Sequence, residues 1–252
     1  MSPLADAVAH YREHGWARMP ALAPLDIVAR LRSRAEEIAT GQVSYPGLFF
    51  QPDTPTGKYE DLIFGHGWAG PTAAYRKIEK LEQDPEFWAW LAGQQLRALV
   101  AAVIGGPVSL YRAVIFSKAA HTGSNLPWHQ DAGLFWGLSR DPELQIWTAL
   151  DDAPLESGCL EVFPGSHKLG LATPLGGVVP GPQVLAALAD ERALAVPAAA
   201  GDVMLLHNHL WHRSGPNRTA HPRRAFTVCY LPRDTRCVRK KRAPRSFIPV
   251  FD

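Results

Sequence analysis

The sequence predicts a mainly β fold with flanking α-helices: a helical first hundred residues, then an all-β core from about residue 107. Three observations carry this. Apolar residues recur at helical spacing in two N-terminal stretches. After Pro107 the texture changes to short runs of β-branched and aromatic residues. Clusters of Gly, Pro, Ser, Asn and Asp punctuate those runs. Strands that short, so spaced, predict a sandwich or double-sheet barrel. Helices covering an otherwise open sheet face make one domain over 1–252 the expected organisation, with 1–106 as flank and 107–252 as core.

In chain order, Leu25–Thr40 places Ile27, Val28, Leu31 and Ala35 on one face, and Gly41 is its stop. The stretch 43–72 is rich in Gly, Pro and aromatics and reads as a long loop, a candidate lid. The stretch 85–104 reads as a second helix, with Phe87, Trp90, Leu91, Leu96, Val100 and Val103 apolar and Gly105-Gly106 closing it. Strands are expected at 108–117, 144–150, 159–163, 202–206 and 225–231, with one short inserted helix at 183–191.

Eight Trp, ten Phe and six Tyr exclude disorder as the main state. The longest apolar run, Leu99–Gly106, is far below the ~20 residues a bilayer crossing needs. The opening MSPLADAVAHYREHG mixes acids, bases and His without an apolar block, so a signal peptide is not expected there. Cys159, Cys229 and Cys237 have no CxxC spacing, so reduced thiols in a cytoplasmic protein are expected. Net charge is +2, yet residues 213–245 carry eleven Lys or Arg and one acid, Asp234. That is either a solvated face or a surface for an anionic substrate. No base-reading module is present, so nucleic acid is not an expected partner.

Most of the ten histidines need no function: His10, His14, His66 and His221 sit among polar residues. The informative stretch is Pro127-Trp128-His129-Gln130-Asp131. On an extended backbone residues i and i+2 face one side, so His129 and Asp131 can reach one metal ion. The segment HNHLWHRSGPNRTAHPRRAF supplies a second histidine ahead of a tight Ser214–Asn217 turn. Two histidines and one carboxylate are the facial triad of non-haem Fe(II) sites, which leaves positions for a bidentate co-substrate and dioxygen. A 2-oxoacid chelated there needs a fixed cation for its far carboxylate. Arg223, at the start of the following strand, is the natural partner, and the Ser214 hydroxyl can add a hydrogen bond. Arg224 is the alternative, since only one of two adjacent strand residues can face inward. Asp202, beside Gly201, reads as a turn carboxylate.

These residues resemble the phytanoyl-CoA dioxygenase family of Fe(II)/2-oxoglutarate oxygenases. The likeness runs from YREHGWARMPALAP, through PWHQD and WTALDDAPLESGCLEVFPGSHK, to GDVMLLH and HRSGPNRTAHPRRAF. It implies a double-stranded β-helix (jelly-roll, cupin-like) core covered by N-terminal helices. It implies Fe(II) held by His129, Asp131 and His212, with His209 as the lesser alternative for the second histidine, and O2 as oxidant. It carries 2-oxoglutarate contacts onto Arg223 and Ser214, and onto Trp147 and Lys77, the last placed in the helical half. Related halogenases resemble this family but replace the iron-binding carboxylate with a small residue; Asp131 is present here, which points to hydroxylation.

Aromatic neighbours of the motif have two readings each. Trp147, Phe135 and Trp136 either fill the barrel or wall the co-substrate and substrate pockets. Lys118 reads as surface or pocket mouth. The leading expectation is a 2-oxoglutarate-dependent hydroxylase of a small or carrier-linked substrate, releasing succinate and CO2. The alternatives are a metal-dependent isomerase or hydrolase on the same barrel, and a non-catalytic scaffold.

Overall fold

The computed structural model describes residues 2–63, 65, 67–240 and 245–252. Expectations for His66, Lys241 and Arg242 therefore lie outside the described residues. The chain opens with α1 (Pro3–His14), β1 (Trp16–Met19), α2 (Leu25–Ala39), β2 (Phe49–Pro52), β3 (Tyr75–Glu79), α3 (Pro85–Leu91) and α4 (Gln94–Val103). The core follows with β4 (Val108–Lys118), β5 (Leu126–Gln130), β6 (Leu144–Ala149), β7 (Leu160–Val162) and β8 (Gly177–Val178). It continues through α5 (Gly181–Ala186), β9 (Leu194–Val196), β10 (Val203–Leu206), β11 (His212–Ser214), β12 (Arg223–Pro232) and β13 (Ile248–Phe251).

Among the described residues the strands form two antiparallel sheets. The larger runs β1-β10-β6-β12-β4-β3-β2, with β13 also on β4; the smaller runs β8-β5-β11-β7-β9. The large sheet is covered on both faces, and its alternation shows how. Phe226, Val228 and Tyr230 of β12 pack with Leu144 and Ile146 of β6 against the helices. The intervening Trp147, Ala149 and Ala225 turn toward the smaller sheet, meeting Leu160 and Val162 of β7. This two-sheet jelly roll is the fold the sequence predicts.

Helices α1 to α4 each bury an apolar face, and α3 shows how one starts. Asp84 caps α3, its carboxylate accepting from the backbone N–H of Glu86 and Phe87 at 2.9 and 3.3 Å. Phe87, Trp90 and Leu91 are then no more than 1% exposed. Burial of each such side chain contributes about 1.5–3 kcal/mol. The Trp90 indole still satisfies its N–H, on Thr148 Oγ1 at 3.1 Å.

The N-terminal hundred residues are less helical than expected. They contain β1, β2 and β3, of which β1 agrees with the helix-then-strand entry implied by the family resemblance. The 43–72 stretch is not all loop, because β2 pairs with β3 and β3 extends the large sheet alongside β4. Lys77 thus sits on β3 opposite Phe116 rather than on a helix. Its strand, YRKIE, carries charge on a face that looks into the protein, which hides the usual pattern. The expected 85–104 helix is two: Ala92 ends α3, and Gly93, in extended backbone, caps α4. The inserted helix is shorter and earlier than expected, Gly181–Ala186.

Candidate active site

The site lies between the sheets, and strand pairing assembles it. β5 and β11 are neighbours, with His129 and His212 as direct register partners. Their ring centroids are 3.9 Å apart. Asp131 follows the end of β5 and comes to 3.8 Å, Oδ2 to Nε2 of His212. One ligand atom from each of His129, Asp131 and His212 lies within 4.8 Å of the others, in positions that can hold a metal ion. Backbone pairing keeps Asp131 there: its N–H donates to Asn208 O at 3.0 Å, and Asn208 Nδ2 donates to Asp131 O at 2.8 Å.

Both imidazoles are oriented by the same device. His129 Nδ1 donates to Pro127 O at 2.9 Å, and His212 Nδ1 donates to Leu210 O at 3.0 Å. A carbonyl only accepts, so each Nδ1 carries the hydrogen and each Nε2 offers its lone pair inward. Burial, then the adjacent His212, pushes His129 down to about 3, so it is neutral at ordinary pH. Burial alone would raise Asp131. The Arg112 guanidinium, the two imidazoles and the Gln145 hydrogen bond together outweigh that, and the carboxyl sits well below the usual carboxylate range. Two imidazoles and one ionised carboxylate converging on a point are a donor set that suits Fe(II).

Two residues that the sequence reading missed hold that carboxylate. Arg112 Nη2 lies 3.2 Å from Asp131 Oδ2, and Gln145 Nε2 donates to the same oxygen at 2.7 Å. Arg112 also donates to Gln145 Oε1 at 3.0 Å. Both are register partners of Cys229 on β12, one from each side, so they meet across its small side chain. A lone Arg and a lone Gln inside strands otherwise apolar were the available signals. Only the strand order joins them.

A cavity of about 230 Å³ opens beside the triad. At its inner end Arg223 is 4% exposed, with its guanidinium 5.9 Å from the Trp147 ring. Arg223 Nη2 donates to Gly158 O at 3.0 Å, while its Nε has no hydrogen-bond partner. Burial pulls Arg223 down to about 10. Ser214, two residues from His212 on β11, lines the same cavity, as does Trp147. Arg224 turns the other way and grips Asp151, Nε to Oδ2 at 2.7 Å and Nη2 to Oδ1 at 3.0 Å, which separates the two adjacent arginines.

The other candidates fall at the rim or outside. Trp136 is buried in the cavity wall, stacked on Tyr111 at 4.6 Å with the Arg112 guanidinium 4.5 Å from its ring. Phe135 is 78% exposed at the rim. Lys77 lines the cavity, but its Nζ is paired with Glu79. His209 is committed elsewhere, its Nε2 2.9 Å from Asp141 Oδ2, and stands outside the triad. Asp202 is the turn carboxylate expected, accepting from Ala21 and Ala199 N–H at 2.9 and 3.1 Å. The basic C-terminal stretch is partly used by the fold: Arg233 holds Asp252 at 2.6 Å, and Arg239 donates to Trp136 O at 3.2 Å. Among the described residues no helix is long and apolar enough to cross a membrane.

Comparison with known proteins agrees with the fold. The chain is 29% identical to L-proline trans-4-hydroxylase of Streptomyces griseoviridis, over 91% of this chain and 87% of that protein. It is 27% identical to the peroxisomal phytanoyl-CoA dioxygenase of Rattus norvegicus, over 92% and 69%. Against the phytanoyl-CoA dioxygenase domain-containing protein 1 of Mus musculus, identity is 32%, and the match spans only about half of that relative, 52%. Among solved structures, the non-haem α-ketoglutarate-dependent carbocyclase SnoK from nogalamycin biosynthesis superposes with a TM-score of 0.75 at 21% identity, over 99% of this chain and 96% of that one. The apo form of EctD from S. alaskensis gives 0.75 at 21% identity, over 99% and 84%, and both likenesses bear on fold. The family profile for phytanoyl-CoA dioxygenase (PhyH) matches residues 11–225. The chain belongs to the phytanoyl-CoA dioxygenase family of Fe(II)- and 2-oxoglutarate-dependent oxygenases.

Proposed function

We propose that this protein is a 2-oxoglutarate-dependent hydroxylase acting on an unactivated C–H bond of a small organic substrate. The observation that carries the proposal is the pairing of two features in one cavity: the His129, Asp131 and His212 cluster, and the buried Arg223 with a free Nε. A metal-dependent isomerase or hydrolase on this barrel would have no use for a buried guanidinium facing the cavity.

In this reading His129, Asp131 and His212 hold Fe(II), and Arg223 with Ser214 anchors the far carboxylate of 2-oxoglutarate. Iron and co-substrate together supply the chemistry: dioxygen is consumed, one oxygen atom enters the substrate and the other leaves in succinate, with CO2 released. The protein's residues do the rest. The Nδ1 bonds of both imidazoles hold their lone pairs inward. Arg112 and Gln145 keep Asp131 ionised and fixed. Trp147 and Leu160 dry the co-substrate end, and Trp136 and Phe135 wall the substrate end.

The cavity also favours an anion. Arg76 lines the cavity, donates to Gln51 Oε1 at 3.3 Å, and makes no ion pair with a carboxylate among the described residues. A small acid, free or carrier-linked, suits it. The test is a panel of amino acids, short carboxylic acids and acyl-thioesters with the iron-loaded enzyme under 18O2. Substrate-dependent succinate with one labelled oxygen in the product is the expected result. Iron loading without succinate across the panel would contradict it.

A further inference from the structure

The cavity also has a polar corner away from Arg223. Gln51 of β2 and Arg76 of β3 both line it. Gln51 is 2% exposed, and Arg76 Nη1 donates to its Oε1 at 3.3 Å. A guanidinium only donates, so the amide oxygen faces Arg76 and the Nε2 hydrogens are left over. Gln51 Nε2 has no hydrogen-bond partner. The Arg76 charge is unmet too. The two carboxylates whose charge reaches it are committed, Asp53 to the N–H groups of Thr54 and Ser124 and Asp131 to Arg112. The Tyr59 ring stands 5.6 Å from the guanidinium. A buried cation beside an unmet amide donor is costly unless an anion joins them.

The backbone is bent to present this pair. Gln51 pairs with Lys77 and Pro52 with Tyr75, which leaves Arg76 as an extra residue in β3. Such a bulge re-aims side chains. Tyr75 and Ile78 pack on the helix side, while Arg76 and Lys77, although consecutive, both line the cavity. Lys77 is satisfied by Glu79, so the cation the bulge adds is Arg76. Arg223 and its register partner Lys118 belong to the inner end. Gln51 stands three strands from Arg223, about 14 Å between backbones. A keto-diacid held between the metal triad and Arg223 has no third carboxylate to offer Gln51 and Arg76. Arg76 is still near enough to the triad for its charge to act on Asp131 and His129.

We propose that Gln51 and Arg76 are specificity-determining residues that hold a free carboxylate of the substrate itself, with the rest of the substrate directed toward the metal triad. The guanidinium supplies the charge and the Gln51 amide a second donor. The substrate is then a free acid and not its thioester, amide or ester. This rests on the oxygenase reading above, since it takes the Arg223 end to be filled by 2-oxoglutarate.

The test is calorimetry on anaerobic protein loaded with Fe(II) and saturated with 2-oxoglutarate. The probes are butyrate, hexanoate, benzoate and L-proline, each beside its methyl ester. At least one acid is expected to bind, and to do so about 10–100-fold more tightly than its ester, the worth of a charge-assisted hydrogen bond. Gln51→Glu sets a carboxylate of the protein's own beside Arg76. It is expected to weaken that acid by about 10–100-fold, to leave the ester and 2-oxoglutarate unchanged, and to keep the Tm level or raise it. Arg76→Met is expected to show the same pattern of affinities. Esters that bind as well as their acids, variants that weaken acid and ester alike, or a panel in which no acid binds overturn the inference while the oxygenase reading stands. Variants that weaken 2-oxoglutarate instead also overturn it, and assign the pair to the co-substrate. Wild-type protein that takes up iron but does not bind 2-oxoglutarate overturns both readings.

Discussion

Gln145 offers the most informative perturbation of the metal centre, because it touches a ligand without being one. It is 1% exposed, donates from Nε2 to Asp131 Oδ2 at 2.7 Å and accepts from Arg112 at 3.0 Å. Gln145→Met keeps the length of the side chain and removes both bonds. The ion pair of Arg112 with Asp131 at 3.2 Å remains, so the carboxylate stays charged but is held from one side only. One charge-assisted hydrogen bond amounts to about 1.5–3 kcal/mol. Loss of a partner behind a metal ligand costs about 10–100-fold in metal affinity. The two figures agree, since tenfold is about 1.4 kcal/mol. Anaerobic titration of Fe(II) against a competing chelator reads the affinity, and circular dichroism checks the fold. Native-like affinity in a folded variant would refute the argument that Gln145 orients Asp131.

Further outcomes follow from other residues. Arg223→Met is expected to raise the KM for 2-oxoglutarate by at least about tenfold, with iron binding retained; loss of iron instead would show a structural role. Phe226, fully buried against Phe87 at a centroid distance of 4.8 Å, is expected to cost about 3–5 kcal/mol on Phe226→Ala, read by denaturant melts. Burial, then His167 and His209, holds His207 at about 3, against 6.5 in an unfolded chain. As pH falls below 6.5 the unfolded state takes up a proton that the folded state refuses until about pH 3. The stability from this group is therefore whole above pH 6.5 and is lost on acidification, by up to about 1.4 kcal/mol per pH unit. Melts of metal-free protein from pH 7.5 to 5 are expected to show a shallower acid limb in His207→Asn, and an identical limb would contradict it. For the 43–72 stretch, a candidate lid from its sequence, proteolytic cleavage is expected to slow with 2-oxoglutarate and substrate bound; unchanged cleavage there counts against a lid.

What the sequence shows depends on whether an element carries its own pattern. β4, β6 and β12 are long, apolar and flanked by turns, so alternation alone locates them. β5, with Pro127 inside it, and β11, three residues long, are held by pairing with each other and with β8 and β7, and no local pattern announces them. The grouping of His129, Asp131 and His212 was nonetheless suggested by the sequence: His129 and Asp131 are two apart, and the family resemblance picks His212 ahead of the tight turn. Strand alternation allowed only one of Arg223 and Arg224 to face inward, the family resemblance favoured Arg223, and in the structure Arg224 is the one that pairs with Asp151. Arg112 and Gln145 were not legible as site residues. Their roles come from which strands flank β12, a long-range pairing that no single segment encodes.

The central claim is that His129, Asp131 and His212 share one ferrous ion, with Arg223 placed to fix a chelating 2-oxoacid beside it. Anaerobic absorption spectroscopy tests this most directly, with Fe(II) added first and 2-oxoglutarate second. The account requires a weak visible charge-transfer band that grows with 2-oxoglutarate, saturates, and is lost in His212→Ala. Iron that binds firmly with no such band, or a band that survives loss of His212, would contradict it.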